Sequence, residues 1–193
     1  MPGDIPLNHD LHIAAWGDNP VITPTLAAGV AVLRPYTYGD VALVRAAALD
    51  PSIPHVTQDD ASHATRYIFE HASRPIHKQG WSFVIADAKT LEPVGHIGAW
   101  LGNLLYGRVT LGYWILERHR RRGYASAALD LLTPWVAGMR GVHRLELHIE
   151  PGNTASCRTA ERASYIHEAT LERYQVVDGT PRDMCIYRYL ASG

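Results

Sequence analysis

The sequence predicts an α/β domain, a mixed central sheet of about six to seven strands flanked by about four helices. Three observations carry this. Runs of β-branched and aromatic residues alternate with apolar stripes of 3.6-residue period, in the order β-α-α-β-β-β-α-β-α-β-β. Three of the runs follow one another with only short turn clusters between them, as in an antiparallel meander. The last two flank Val177-Asp-Gly-Thr180, a strong hairpin signal.

The elements follow in order. Residues 1–28 are rich in Pro, Gly and Asn and read as a lead-in, loosely structured or adding an edge strand; residues 29–193 form the domain proper. The lead-in holds Trp16 and the pair Val21-Ile22, too little to fold alone, and is expected to pack on the domain or on the partner subunit of a homodimer. Val30–Arg34 is the first strand, stopped by Pro35. Thr37-Tyr-Gly-Asp40 has the form of a capping box, followed by Val41, Val44 and Ala48 on one helical face. Asp59 and Asp60 cap a second helix whose inner side is Ala61, Ala64, Ile68 and Ala72, closed by Pro75. The meander is Trp81–Ala86, Val94–Leu101 and Arg108–Leu116. A long helix runs from about Tyr124 to Met139, with Pro134 inside the pattern to kink or interrupt it. Strand His143–Glu150, a short helix Asn153–Arg162 and the hairpin complete the chain.

Composition narrows the function. The formal charge is −1 over 193 residues. That gives no global attraction to nucleic acid or anionic membrane, so any polyanionic ligand needs a local basic cluster. Two cysteines, Cys157 and Cys185, make neither a metal-ligand pair nor a disulfide scaffold, and a reducing cytoplasm fits. No basic, apolar leader opens the chain and no apolar run approaches the ~20 residues of a membrane helix. There is no His-Glu-x-x-His or similar pair, so no metal is expected. His63, His71 and His77 read as surface residues.

The informative stretch is Trp114-Ile-Leu-Glu-Arg-His-Arg-Arg-Arg-Gly-Tyr-Ala125. A strand ends and a helix begins with Gly123 and the arginines 118, 120, 121 and 122 between them. A helix start offers unpaired N–H groups and the positive end of a dipole. Gly123 allows close backbone approach and positive φ, and Ala125 is small. This is how a pyrophosphate-binding turn is built. No Gly-Lys-Ser/Thr follows and only one glycine is present, so it is neither a Walker loop nor a dinucleotide fingerprint. Read from the residues alone, a solvated basic loop remains open.

Arg120-Arg-Arg-Gly-Tyr-Ala125 resembles the phosphate-binding motif of the GNAT N-acetyltransferase superfamily, Gln/Arg-x-x-Gly-x-Gly/Ala after the fourth strand. Leu111-Gly-Tyr-Trp-Ile115 resembles the Gly-Tyr-Trp strand of its RimJ/RimL-like subgroup. Asn153, Ser156, Arg158 and Glu161 match that subgroup's later Asn-x-x-Ser-x-Arg-x-x-Glu segment. The likeness runs from about Val32 to Leu190 and implies a GNAT fold. Departures are Ser164 for a glycine, Arg162 for lysine, Thr110 for a glutamate, and Ala160 where other GNAT branches carry a tyrosine that protonates the leaving thiolate.

The resemblance implies acetyl transfer from acetyl-CoA to a primary amine, either a protein N-terminus or a small-molecule or antibiotic amine. It places the cofactor against Trp114, Ile115, Leu116, Arg120, Arg121, Arg122, Gly123, Tyr124, Ala125, Asn153 and Ser156. Amide donors for the developing oxyanion fall near Ile115 and Leu116. Ser156 is the donor to the thiolate and Asn153 contacts the pantetheine arm; a plain helix cap is the other reading of Asn153. His148, five residues before Asn153, is the candidate base, because an imidazole exchanges its proton near neutral pH. Glu146 and Glu150 share its strand parity; Glu146 is the second candidate base and Glu150 a rim residue. Trp81, Trp100, Tyr106 and Tyr174 are candidates to line an acceptor pocket. The missing tyrosine keeps a non-catalytic acyl-CoA-binding module as the alternative. Nucleic-acid binding is not expected, since four arginines on one loop lack interleaved aromatics.

Overall fold

The computed structural model describes residues 20–53, 56 and 58–191. Eight strands form one sheet in the order β1-β2-β3-β4-β5-β6-β8-β7. They are β1 (Leu26–Ala28), β2 (Ala31–Arg34), β3 (Gly80–Asp87), β4 (Pro93–Trp100), β5 (Arg108–Ile115), β6 (Arg144–Ile149), β7 (Ile166–Val177) and β8 (Thr180–Leu190). The helices are α1 (Val41–Ala48), α2 (Ala61–Ser73), α3 (Tyr124–Ala137) and α4 (Thr154–Arg162). The α/β expectation holds, with one strand more than predicted. The extra strand is β1, paired Leu26↔Leu33 to Ala28↔Ala31 within the lead-in. Pro20 also belongs to the lead-in, and its carbonyl accepts from Trp81 Nε1 at 3.1 Å. Val21 and Ile22 are exposed, and Trp16 lies outside the described residues.

Strand parity divides the side chains between two layers. Trp81, Phe83, Ile85, Ile97, Ala99, Leu111, Leu145 and Leu147 point one way, into a core closed by Ala128, Leu129, Leu132 and Val136 of α3 and by Ala160 and Ala163 at and just past α4. Val84 and Leu116 point the other way and meet Leu43, Val44 and Ala47 of α1 and Ala64 and Ile68 of α2. Helix α3 is continuous through Pro134 to Ala137. Pro134 lies in the last turn, where its missing N–H forfeits one helical bond and little of the helix remains to be disturbed.

Two buried ion-pair and imidazole clusters sit in the α1/α2 layer. Asp40 accepts from Arg34 Nη1 at 2.9 Å and Nη2 at 2.6 Å, and from the Thr37 amide at 2.8 Å. Next to it, Tyr36 Oη and His96 Nδ1 are 2.9 Å apart, and His71 Nδ1 lies 2.8 Å from Ser82 Oγ. His71 was expected at the surface and is instead buried on the inner stripe of α2, behind Ala64 and Ile68. Burial, and after it the charge of Arg74, takes His96 down to about 3; burial, then His96 and Arg74, also lowers His71.

These histidines make stability depend on pH. Their folded pKa values lie below the ~6.5 of an unfolded histidine, so the unfolded chain takes up protons first as pH falls. The stabilisation is complete above about pH 6.5 and declines toward the folded values. The melting temperature is expected to drop by about 5–10 °C between pH 7 and pH 5.5, above the range where most carboxylates titrate. His96→Gln should flatten that slope in a series of melts. Parallel slopes for variant and wild type would remove the histidines as the cause.

Candidate active site

The sheet has one parallel seam. β5 and β6 pair only from Arg108↔Arg144 to Leu111↔Leu147, although β5 runs on to Ile115 and β6 to Ile149. Beyond Leu111 the two strands part. On the other side of β5 the ladder with β4 continues, and the Leu116 amide donates to the Val94 carbonyl at 3.0 Å. Alternate residues of an antiparallel strand aim their amides to alternate sides. Trp114 therefore faces β4, while Tyr113 and Ile115 turn their amides into the gap. The Leu116 amide is not free to meet an oxyanion, because Val94 holds it. Ile115 keeps that possibility, and Tyr113, not named from the sequence, joins it.

The chain then makes a 3-10 turn, Glu117–His119, and enters α3 through Arg121 at φ 60° and Gly123 at φ 85°. A side-chain oxygen caps α2 (Asp60) and α4 (Asn153), but none caps α3. The first-turn amides around Tyr124 and Ala125 have no helical acceptor of their own. A Cβ built on Gly123 meets nothing within 4 Å, so the turn is open to solvent. The three consecutive arginines part company here. Arg121 and Arg122 are exposed and make no ion pair among the described residues. Arg120 turns inward instead. Its Nε donates to the Ile115 carbonyl at 2.9 Å, and its Nη2 pairs with Asp50 and donates to Ser52 Oγ at 2.7 Å. Burial pushes the Asp50 carboxyl up, but Ser52 and the charge of Arg120 outweigh it and hold it low. The Tyr124 hydroxyl donates to Asp87 at 2.6 Å, fastening the helix start to the end of β3.

On the α3/α4 side of the gap, Asn153 Oδ1 accepts from the Ser156 amide at 3.1 Å, so Asn153 does cap α4. Ala160 is fully buried against the core. The nearby phenol comes from the strand: Tyr113 points to this side, and its hydroxyl oxygen is fully buried without a well-formed hydrogen bond. Burial raises its pKa, and the hydroxyls of Ser156 and Thr159 pull the other way.

Glu146 and His148 occupy the opposite face. His148 Nε2 is 3.1 Å from Glu146 Oε2, and Glu146 Oε1 accepts from Arg144 Nε at 2.6 Å. Arg144 is also bound to Glu168, which Arg188 approaches at 3.3 Å. Burial pushes Glu146 up, but the hydrogen bonds from His148 and Arg144 prevail and hold it below the usual carboxylate range. The Tyr174 ring stands edge-on to the imidazole, 5.3 Å between centroids. His148 and Ser156 thus lie on opposite faces of the sheet.

The α1/α2 face carries an aromatic floor beside His148. Trp114 stacks on His96 at 5.7 Å, and Trp100 stands 6.1 Å from His96. Trp100 lies flat because Gly98 and Gly112 beneath it have no side chains; a Cβ on either would come within 3.1 Å of its ring. Trp81 belongs to the other core, fully buried against Trp135, and lines no acceptor pocket. Tyr106 is exposed on a turn. Among the described residues no group of three His, Cys, Asp or Glu is arranged to hold a metal, and no helix is long and apolar enough to cross a membrane.

Residues 31–165 match the family described as Acetyltransferase (GNAT) domain. The chain belongs to this family. Within GNAT, the chain is 28% identical over 110 residues to the uncharacterised N-acetyltransferase YoaA of Bacillus subtilis, which is 57% of this chain and 62% of that one. It therefore spans less than two thirds of that relative's length. L-2,4-diaminobutyric acid acetyltransferase of Streptomyces anulatus is 37% identical over 73 residues, 36% of this chain and 42% of its own. Among solved structures, RimJ of Mycobacterium smegmatis in complex with CoA-disulfide superposes with a TM-score of 0.73 at 24% identity, covering 88% of this chain and 87% of that one. The likeness to RimJ is one of fold.

Proposed function

We propose that the protein transfers acetyl from acetyl-CoA to a primary amine. The observation that carries this is the open seam between β5 and β6, with two strand amides facing into it and an uncapped helix start at its end. The residues present fit the cofactor. The α3 amides, Gly123 and the exposed Arg121 and Arg122 suit a pyrophosphate, and the seam suits an extended amide-bearing arm. Arg120 serves the site from behind, by holding the loop of Asp50 and Ser52 to the end of β5. Acetyl-CoA supplies an activated acyl carbon joined to a good leaving group.

The chain's own groups supply the rest. With Nε2 donating to Glu146, His148 keeps a lone pair on Nδ1 and takes the proton from an incoming ammonium. Glu146, committed to Arg144 and held ionised, orients that imidazole and stabilises it once protonated. The amides of Tyr113 and Ile115 meet the oxygen that gains charge. Ser156, with Tyr113 Oη beside it, donates to the departing sulfur. The diaminobutyrate enzyme supports a small amine as acceptor, and a protein N-terminus is the alternative.

Acetyl-CoA calorimetry, followed by free-thiol release with pools of amines and peptides, tests this. We expect micromolar-range binding, about −8 kcal/mol, and amine-dependent thiol release. Tight binding with no release for any acceptor would favour a non-catalytic acyl-CoA-binding module. No binding would overturn both.

A further inference from the structure

We propose that Arg74 is the acceptor-specificity residue and that the acceptor is a small amino acid, carrying a carboxylate a few bonds from the amine that is acetylated. The inference rests on the acetyl-transfer reading above. Arg74 caps the C-terminus of α2, and its guanidinium lies over the Trp100 ring, 5.5 Å from the centroid. Its Nε is fully buried without a hydrogen-bond partner, and no carboxylate of the described residues pairs with it. Glu70, the nearest acid to influence it, forms no ion pair. A half-buried guanidinium is normally paired, because removing it from water costs free energy that only a counter-charge returns. His71 and His96 beneath it are held neutral by burial and supply no anion.

The position gives this cation its meaning. Trp100 extends across Gly112, the first residue of β5 past its last pair with β6. Gly112 and His148 are the next residues on the two strands where they begin to part. The floor therefore has a cation at one end and the Glu146–His148 pair at the other. β4 and β6 are two strand spacings apart, about 10 Å. A zwitterion spans such a floor with its amine at His148 and its carboxylate at Arg74. The ring holds one face of the guanidinium and burial closes the Nε, which leaves the two terminal nitrogens to grip a carboxylate in the plane. A polyamine would bring a second positive charge against Arg74 and is disfavoured there.

The test is a matched series at saturating acetyl-CoA: glycine, β-alanine, 4-aminobutyrate and 5-aminopentanoate against the amide of each, with phosphoethanolamine and a hexapeptide amide alongside. Wild type should favour the carboxylates, with an optimum of chain length that reads the spacing. Arg74→Gln should lower kcat/KM for them about 10- to 100-fold, change the amides less than about 3-fold and leave acetyl-CoA affinity intact. Arg74→Lys should fall between. Calorimetric binding of the best acid, without acetyl-CoA, should weaken in step, which gives a readout independent of turnover. A preference for phosphoethanolamine would make the anion a phosphate and overturn the amino-acid assignment. So would a faster hexapeptide amide, or a carboxylate preference that survives Arg74→Gln in a folded variant. If acetyl-CoA fails to bind, the acetyl-transfer reading falls and takes this proposal with it; binding with ordinary turnover of amides alone overturns only the role of Arg74.

Discussion

His148→Ala is expected to lower kcat by about 10²–10⁴-fold, the usual worth of a positioned base, while acetyl-CoA KM moves little. The reason is geometric. His148 is the first residue of β6 past its last pair with β5, on the α1/α2 face of the sheet, and its Nε2 is 3.1 Å from Glu146 Oε2. The other nitrogen is left to accept a proton. Wild-type activity should require the ring with a free lone pair, and the variant should lose whatever pH dependence that requirement imposes. Glu146→Gln keeps the shape but removes the charge that orients the ring, and should cost less than the alanine. Ser156→Ala should cost least, since water can protonate a thiolate whose acid resembles cysteine, with a pKa of about 8.5. Full kcat and an unaltered pH profile in His148→Ala would show that solvent takes the proton from an amine already neutral.

Gly123→Val is expected to weaken acetyl-CoA binding on the order of 100-fold, about 2.7 kcal/mol. Gly123 sits at φ 85°, and a β-branched residue adopts such a conformation only at a cost of roughly 1–2 kcal/mol. It also projects a side chain toward the helix amides that would face a pyrophosphate. Since a Cβ here meets no other atom within 4 Å, the fold should survive. Gly123→Asn separates the two effects, because asparagine tolerates left-handed backbone yet still fills the approach. Calorimetry on both variants, with circular dichroism to check folding, decides. An unchanged dissociation constant in folded Gly123→Val would mean that no phosphate meets this turn.

The order of elements from β2 to β8 was legible because each carries its own period or turn chemistry. Leu26-Ala-Ala28 has no alternation to mark it as a strand; it becomes β1 because Leu33 and its neighbours in β2 offer a free edge. His71 could have been found, since it continues the inward stripe of Ala64 and Ile68 by helical spacing. Of the candidate site, the local geometry was legible: the left-handed turn at Gly123 and the Asn153 cap. The site was not legible where partners are distant. Arg120, Arg121 and Arg122 look alike in sequence, and only the arrival of Asp50, 70 residues earlier, turns the first of them inward. Tyr113 likewise acquires its meaning from Ser156 and Thr159 on another element, and Arg74 from the ring of Trp100.

The short parallel seam has a mechanical consequence. Four residue pairs join β1–β5 to β6–β8–β7, while the antiparallel neighbours on either side are joined by longer ladders. The seam divides the sheet into two plates, and it opens toward the end where α3 begins. An extended molecule wedged there supplies the backbone contacts that the plates cannot make to each other. Filling the site would then also tie the two plates together. His148 on β6 and Ser156 on α4, which packs on β6 and β7, belong to the same plate, so the angle between the plates sets how that pair stands relative to Ile115 and Trp114 on the other.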